Sequence, residues 1–480
     1  MKRKFTDRSS NHRHILACTA IALVAGLTAC GGGNSSTTTS TPSPTPSAST
    51  VVQLNMGDAP ADWMLAFSMN INSMTLTRNN GSVTAVSSTT PMEMMHLMGT
   101  MQPLAMISAP QGNYTGATIS IGSANITYMD PATKLPVQKT IPGPITGIMN
   151  FNSPITVGST PMAIGFDLDL ANSVTRDASG NMTLNPVFHV TSGMQGVGNP
   201  LDPANGGIQQ MMGAVSSVSG TSFTMASMQA AQALTFHTSS TTTFDNITGM
   251  SMMANGMLVI VDASLQPDGS LMATRVQSMM NSGGFMGGGV ITTISGQPAT
   301  QFTIVMQNGA GAGMMSSYFS QEATVNLSGS TVYQIKNVGV NLSNLPFAPI
   351  FDANHIYAGQ SVMPISAGGM MMGGGTGMMG GTSTLGSITA SGVALQPQGF
   401  SGSTSASITS GSTASFTLTL SPDSAFTTLT GATAITVYQL PDTTISSTSP
   451  IASGATVRAF GLLFRDNGQW KMAALRIGTN

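Results

Sequence analysis

The sequence predicts an all-β protein, and three observations carry that reading. Glycine fills 55 of the 480 positions and charged residues only 7%, so the helix formers Glu, Lys and Arg are scarce. Runs such as Phe67-Ser68-Met69-Asn70-Ile71, Ala117-Thr118-Ile119-Ser120-Ile121 and Ser415-Phe416-Thr417-Leu418-Thr419-Leu420 alternate apolar and polar residues with the period of half-buried strands. Behind residue 206 one pattern of short strands recurs three times. The expected architecture is an N-terminal β-sandwich-like domain followed by three small five-stranded, OB-like β-barrel repeats, a string of small β domains.

The chain opens on Lys2, Arg3, Lys4, Arg8 and Arg13, continues through an apolar core from Ile15 to Gly26, and reaches Leu27-Thr28-Ala29-Cys30. Basic, apolar and then small residues make the order of an export signal, and the apolar core is too short for a permanent transmembrane helix. Leu27 to Cys30 resembles the lipobox of bacterial lipoproteins, in which the cysteine is acylated and becomes the new N-terminus. The resemblance implies a signal peptide over 1–29, lipidation at Cys30, a lipid bilayer as partner and the cell envelope as location. Each buried methylene of the acyl chains would add about 0.8 kcal/mol to that anchorage. Gly31 stands where an Asp would otherwise retain a lipoprotein at the inner membrane, which resembles an outer-membrane address in a diderm host. Residues 30–50 read as the lipidated Cys and a flexible Gly/Ser/Thr/Pro tether. Cys18 lies within the signal, so the mature chain has one thiol and no disulfide to form.

Of the 15 basic and 17 acidic residues, five and one respectively lie in the first 29, leaving a net charge of −6 over 451 residues. No basic face can be built from that balance, which argues against nucleic acid as a partner.

Residues 51–200 read as the sandwich-like domain. In Val51-Val52-Gln53-Leu54-Asn55-Met56-Gly57-Asp58-Ala59-Pro60, a strand is expected to break at Gly57, with Asp58 and Pro60 supplying turn chemistry. The next strand is expected to end near Leu76 and turn at Asn79-Asn80-Gly81. Gly57-Asp58-Ala59-Pro60, the apolar segment Met92 to Ile107, Pro110-Gln111-Gly112-Asn113-Tyr114 and Phe166-Asp167-Leu168-Asp169-Leu170 together resemble a domain-of-unknown-function family found at the N-terminus of bacterial lipoproteins. That resemblance implies a β fold at the cell surface and no chemistry.

The repeats occupy 207–278, 288–398 and 400–480. The first runs through Gly213–Gly220, Phe223–Met225, Thr242–Phe244, Gly256–Val259 and Leu271–Val276. The second follows with Gly289–Gly296, Phe302–Ile304, Thr331–Gln334, Gly359–Val362 and Ile388–Val393, and the third with Phe416–Leu418, Thr436–Gln439, Gly454–Val457 and Trp470–Ile477. They resemble a second domain-of-unknown-function family, with the third copy divergent at its start. Met279 to Gly289 reads as a linker between the first two copies, and the Met/Gly run 368–383 as an expanded hairpin loop of the second.

No G-x-S-x-G elbow, H-E-x-x-H, Walker loop or C-x-x-C is present, and His96, His189, His237 and His355 are isolated from one another in sequence. The chain therefore reads as a noncatalytic binding, adhesive or structural module whose partner is a surface ligand or an envelope protein. Two alternatives stay open. Among 38 methionines, Met92, Met94, Met95 and Met98 flank His96, and Met370, Met371, Met372, Met378 and Met379 sit in the Gly-rich run. Thioether and imidazole donors suit Cu(I) or silver, while methionine in an apolar stretch is also ordinary core. Glycan binding is the other alternative, on shallow sites around Trp63 or Trp470, each of which also reads as a packing anchor. Asp167 and Asp169, two apart on one strand face, can ligate Ca²⁺ with loop carbonyls or form a strand-end polar pair; no third acid is near in sequence.

Overall fold

Alternating apolar and polar residues make strands with one buried face, and the computed structural model is built of little else. It describes residues 48–59, 61–177, 179–194, 202–280, 284–311, 315–336, 340–367, 385–445 and 450–479. The N-terminal section holds β1 (Ser49–Ala59), β2 (Met64–Arg78), β3 (Gly81–Val86), β4 (Thr90–Glu93), β5 (Met101–Pro110), β6 (Gly112–Met129), β7 (Pro136–Val157), β8 (Met162–Asp169), β9 (Val174–Arg176), β10 (Met182–Leu184) and β11 (Phe188–Met194). One sheet runs β11-β8-β1-β5 and another β3-β2-β6-β7, with β4 on β2. Leu54 and Phe166 of the first sheet share a core with Phe67 and Tyr114 of the second, the packing of a sandwich. Asn79 and Asn80 form the expected two-residue turn, with Arg78 opposite Gly81.

The expected break at Gly57 does not occur. The β1 strand continues through Gly57 and Asp58 to Ala59, paired on one side with β5 and on the other, in parallel, with β8. Glycine serves close approach here: a Cβ on Gly57 would lie 2.7 Å from Met101 Cγ. Asp58, expected at a turn, is 1% exposed.

The first barrel comprises β12 (Gly207–Ser219), β13 (Ser222–Ala226), β14 (Leu234–His237), β15 (Thr243–Asp245), β16 (Leu258–Leu265) and β17 (Leu271–Met280). Its order is β14-β13-β12-β16-β17, closed by parallel pairing of Phe236 with Leu271, and β15 runs further along β17. The second comprises β18 (Phe285–Ser295), β19 (Gln301–Gly311), β20 (Glu322–Asn326), β21 (Val332–Ile335), β22 (Ser361–Ser366), β23 (Leu385–Thr389) and β24 (Gly392–Leu395). Here the closing strand is split: β23 lies parallel to β20 and β24 parallel to β21. In the third, β25 (Pro397–Thr404), β26 (Ala414–Thr419), β27 (Ala434–Ile445), β28 (Thr456–Asp466) and β29 (Gln469–Thr479) close as β25-β26-β27-β29-β28. All three follow one path: a three-strand meander, a fourth strand returning beside the first, and a fifth closing in parallel against the third. That is the path of a five-stranded Greek-key barrel.

Two expectations about boundaries change. Gly287, Gly288 and Gly289 of the supposed 279–289 linker are strand residues: β18 starts at Phe285 and pairs with β19 and β22. A Cβ on Gly289 would lie 2.1 Å from the Val305 carbonyl oxygen, so glycine lets two backbones meet at a bulge. The first strand of the third barrel, which the sequence pattern does not reveal, begins at Pro397, inside the stretch assigned to the second repeat.

Two short helices matter below: α1 (Leu170–Ser173), and α2 (Ala425–Thr430), whose N-cap Ser424 accepts from Thr427 N–H.

Candidate functional site

Ser47–Asn480 forms one compact unit. Met212, Ile260, Met286 and Met363 form a cluster joining the first and second barrels, and Leu65, Met129, Val305 and Ala425 one joining the sandwich, the second barrel and α2. A cavity of about 130 Å³ lies among these sections. Its wall takes residues from each: Met95, His96 and Met98 from the sandwich, Gln210 from the first barrel, Lys336 from the second, and Phe400 and Phe426 from the third.

Local irregularities aim the polar groups. The register of β12 slips between Ile208 and Met211, and Gln210 takes a left-handed φ of 58° there, a conformation costing a non-glycine residue about 1 kcal/mol or more. Asp262 holds this bulge by accepting from Gln210 N–H at 2.6 Å. Gln307 donates to the Leu65 carbonyl at 2.7 Å, and Gln398 bridges Ser361 N–H and the Gly359 carbonyl, so two of the cavity glutamines tie sections together.

Others are left with capacity. Gln210 Oε1, Gln396 Nε2, Thr100 Oγ1 and Ser401 Oγ are buried, border the cavity and have no partner among the described residues. Lys336, 6% exposed, donates from Nζ to Gln396 Oε1 at 3.2 Å. Burial pushes its ammonium down to about 7, with Asp262 opposing the shift and Arg275 adding to it. On another wall burial raises the Asp62 carboxyl to about 6, against the lowering effects of the Ser401 backbone and Arg458. The arrangement is a small polar-and-aromatic chamber with unspent donors and acceptors, the kind of surface that orients a ligand.

Residues 212–277 match the family DUF5666, a domain of unknown function. This segment is the first barrel from within β12 to near the end of β17, which agrees with the resemblance its repeat pattern suggested. No curated protein matches the chain. The second and third barrels share the strand path of the DUF5666 barrel, and the cavity glutamine at 210 lies just before the matched segment.

The sequence-derived candidates separate in space. Met92 and Met94 are fully buried core of the sandwich, whereas Met95, His96 and Met98 reach the cavity, where Met64 and Met212, the latter from the DUF5666 barrel, join them. His96 is held in a circuit. Its Nδ1 lies 2.9 Å from Glu93 Oε2, its Nε2 3.4 Å from Gln229 Nε2, and Gln229 Oε1 accepts from Glu93 N–H at 2.7 Å. Because the carboxylate takes Nδ1–H, the Nε2 lone pair faces the Gln229 amide. That circuit links the sandwich to the DUF5666 barrel. Among the described residues no group of three or more His, Cys, Asp or Glu could hold a metal ion.

Asp167 pairs with Arg458 at 3.6 Å. Asp169 caps α1 through Asn172 N–H at 3.0 Å and lies 3.2 Å from His189 Nε2, so both acids have protein partners at a strand end. Trp63 packs edge-on to Tyr128, and Trp470 is buried against Phe426. Cys30 and the run containing Met370, Met371, Met372, Met378 and Met379 lie outside the described residues.

Sequence reasoning missed the cavity's polar set. The local signals are Gln209-Gln210, Gln396-Pro397-Gln398, and a lysine ending the alternating run Val332-Tyr333-Gln334-Ile335-Lys336. Nothing in the sequence shows that they meet.

Proposed function

We propose that this chain is an envelope-tethered, noncatalytic binding protein: acylated Cys30 holds it to a bilayer, residues 31–50 space it from the lipid, and the cavity takes a small ligand. The observation that carries the ligand part is the convergence upon one cavity of four buried polar atoms, on Thr100, Gln210, Gln396 and Ser401, that have no partner among the described residues. Leaving such groups unsatisfied costs about 1–3 kcal/mol each, and a ligand that meets them recovers part of it. The tether is supported by the basic, apolar and small-residue order before Cys30.

Two measurements test the parts separately. Replacing Cys30 by Ser should move the protein out of the membrane fraction; retention there would end the anchoring claim. Small-molecule screening by thermal shift on the full chain should give hits that lose their effect in Ser401→Phe, which fills the cavity. Hits unchanged by that variant would place binding elsewhere.

A second reading has its own support. Met64, Met95, Met98 and Met212 border the same cavity as His96, and thioethers with imidazole are donors for Cu(I). An anaerobic Cu(I) titration against a competing chelator, on the full chain and on Met95→Leu/Met98→Leu, tests it. Affinity equal in the two proteins would remove the cavity from any copper role.

A further inference from the structure

Lys336 is the feature least explained by packing. It is 6% exposed and borders the cavity, and among the described residues its ammonium, which carries three donors, makes one hydrogen bond, to Gln396 Oε1 at 3.2 Å. Its closest source of opposing charge is already engaged: Asp262 accepts from Gln210 N–H at 2.6 Å and lies 3.9 Å from Arg275 Nη1. A buried cation without a paired anion is costly, and substitution by an apolar side chain would remove that cost. Beside it Gln396 turns its own amide N–H₂ toward no acceptor among the described residues, and the Ser401 and Thr100 hydroxyls on the cavity wall likewise have no partner among them. The lining therefore combines the donors of Lys336, Gln396, Ser401 and Thr100 with an aromatic pair, Phe400 and Phe426, whose ring centroids are 4.9 Å apart.

We propose that the cavity binds a small organic monocarboxylate, its carboxylate paired with Lys336 and Gln396 and its apolar body against Phe400 and Phe426. The inference rests on the reading of the cavity as a ligand site. Charge favours an anion over a neutral sugar, which would leave the ammonium uncompensated. One negative charge is favoured over two, because among the described residues Lys336 is the one lysine or arginine on the wall, whose other titratable groups are Asp62 and His96. Size agrees: a cavity of about 150 Å³ holds a benzene ring, close to the 130 Å³ here.

Proton linkage gives the inference a second readout. The groups acting on Lys336 are Asp262 from β16 and Arg275 from β17, and burial holds the free ammonium near 7. A bound carboxylate stabilises its protonated form, so binding takes up a proton above about pH 7 and affinity falls there by up to about tenfold per pH unit.

The experiment is calorimetric titration of the full chain with benzoate, with benzamide as its neutral isostere and with glucose. Benzoate should bind at least about tenfold more tightly than benzamide, Lys336→Met should abolish that preference, and affinity should drop between about pH 7 and 9. Should Lys336→Met fail to fold, the pH series on the unaltered protein decides, and a flat profile overturns the proposal. Benzamide or glucose binding as well as benzoate would overturn the carboxylate assignment and leave the cavity as a ligand site. Absence of binding by all three probes, with no thermal-shift hit, would overturn both.

Discussion

Two acids, Glu93 and Asp62, show how its surroundings decide what a carboxyl does. Glu93 is fully buried, and its oxygens accept from the backbone N–H groups of Phe67, Met95 and His96 at 3.0–3.2 Å and face the His96 ring. Its two oxygens are therefore met by three backbone donors and an imidazole nitrogen. Glu93→Gln would turn an amide N–H₂ toward those donors and is expected to cost about 2–4 kcal/mol, read as a lower denaturation midpoint. The Asp62 carboxyl, half-buried, is raised from 3.8 to about 6 chiefly by desolvation. The folded state then holds more protons than the unfolded one between those values, so stability falls as pH rises from 3.8 through 6. Asp62→Asn should gain up to about 3 kcal/mol above pH 6, with the gain gone below about pH 4. A melting series across that range checks both the sign and the window.

At the scale of elements, the legible parts were those where local chemistry and pairing agree. The Asn79-Asn80-Gly81 turn, the alternating strands β2 and β6 and the recurring barrel pattern could be read directly, because their side-chain period is their structural period. Glycine misled at Gly57 and at Gly287 to Gly289. A sequence shows that a side chain is missing but not whether a turn or a neighbouring backbone requires its absence. The β25 strand was hidden for the same reason: in Pro397-Gln398-Gly399-Phe400-Ser401-Gly402 the period is blurred, and a Cβ on Gly402 would lie 2.3 Å from the Thr419 carbonyl oxygen. Gly289→Ala should accordingly behave as a core overpacking change, costing about 1–3 kcal/mol in denaturant titration. A linker glycine would tolerate alanine without measurable loss.

For the molecule as a whole, the candidate site was beyond a linear reading because long-range contacts build it. On the cavity wall Gln307 reaches Leu65 across 242 residues, and away from it Ser320 reaches Ser68 across 252 and Arg476 reaches the Gly99 carbonyl across 377. Leu462 and Phe464 of the third barrel also belong to the core of the second. Sections that share cores unfold together, so differential scanning calorimetry of the full chain should show one main transition whose calorimetric and van't Hoff enthalpies agree. Four resolved transitions would mean that the shared clusters contribute little.

The seam between the last two barrels has a genetic consequence. Only Gln396 separates the end of β24 at Leu395 from the start of β25 at Pro397, and the same few residues furnish a wall of the cavity. A recombination event at that point could not add, delete or exchange a barrel without severing a pairing strand and the chamber together. The junction therefore binds the second and third barrels into one unit of exchange, and a copy is expected to be gained or lost more readily elsewhere.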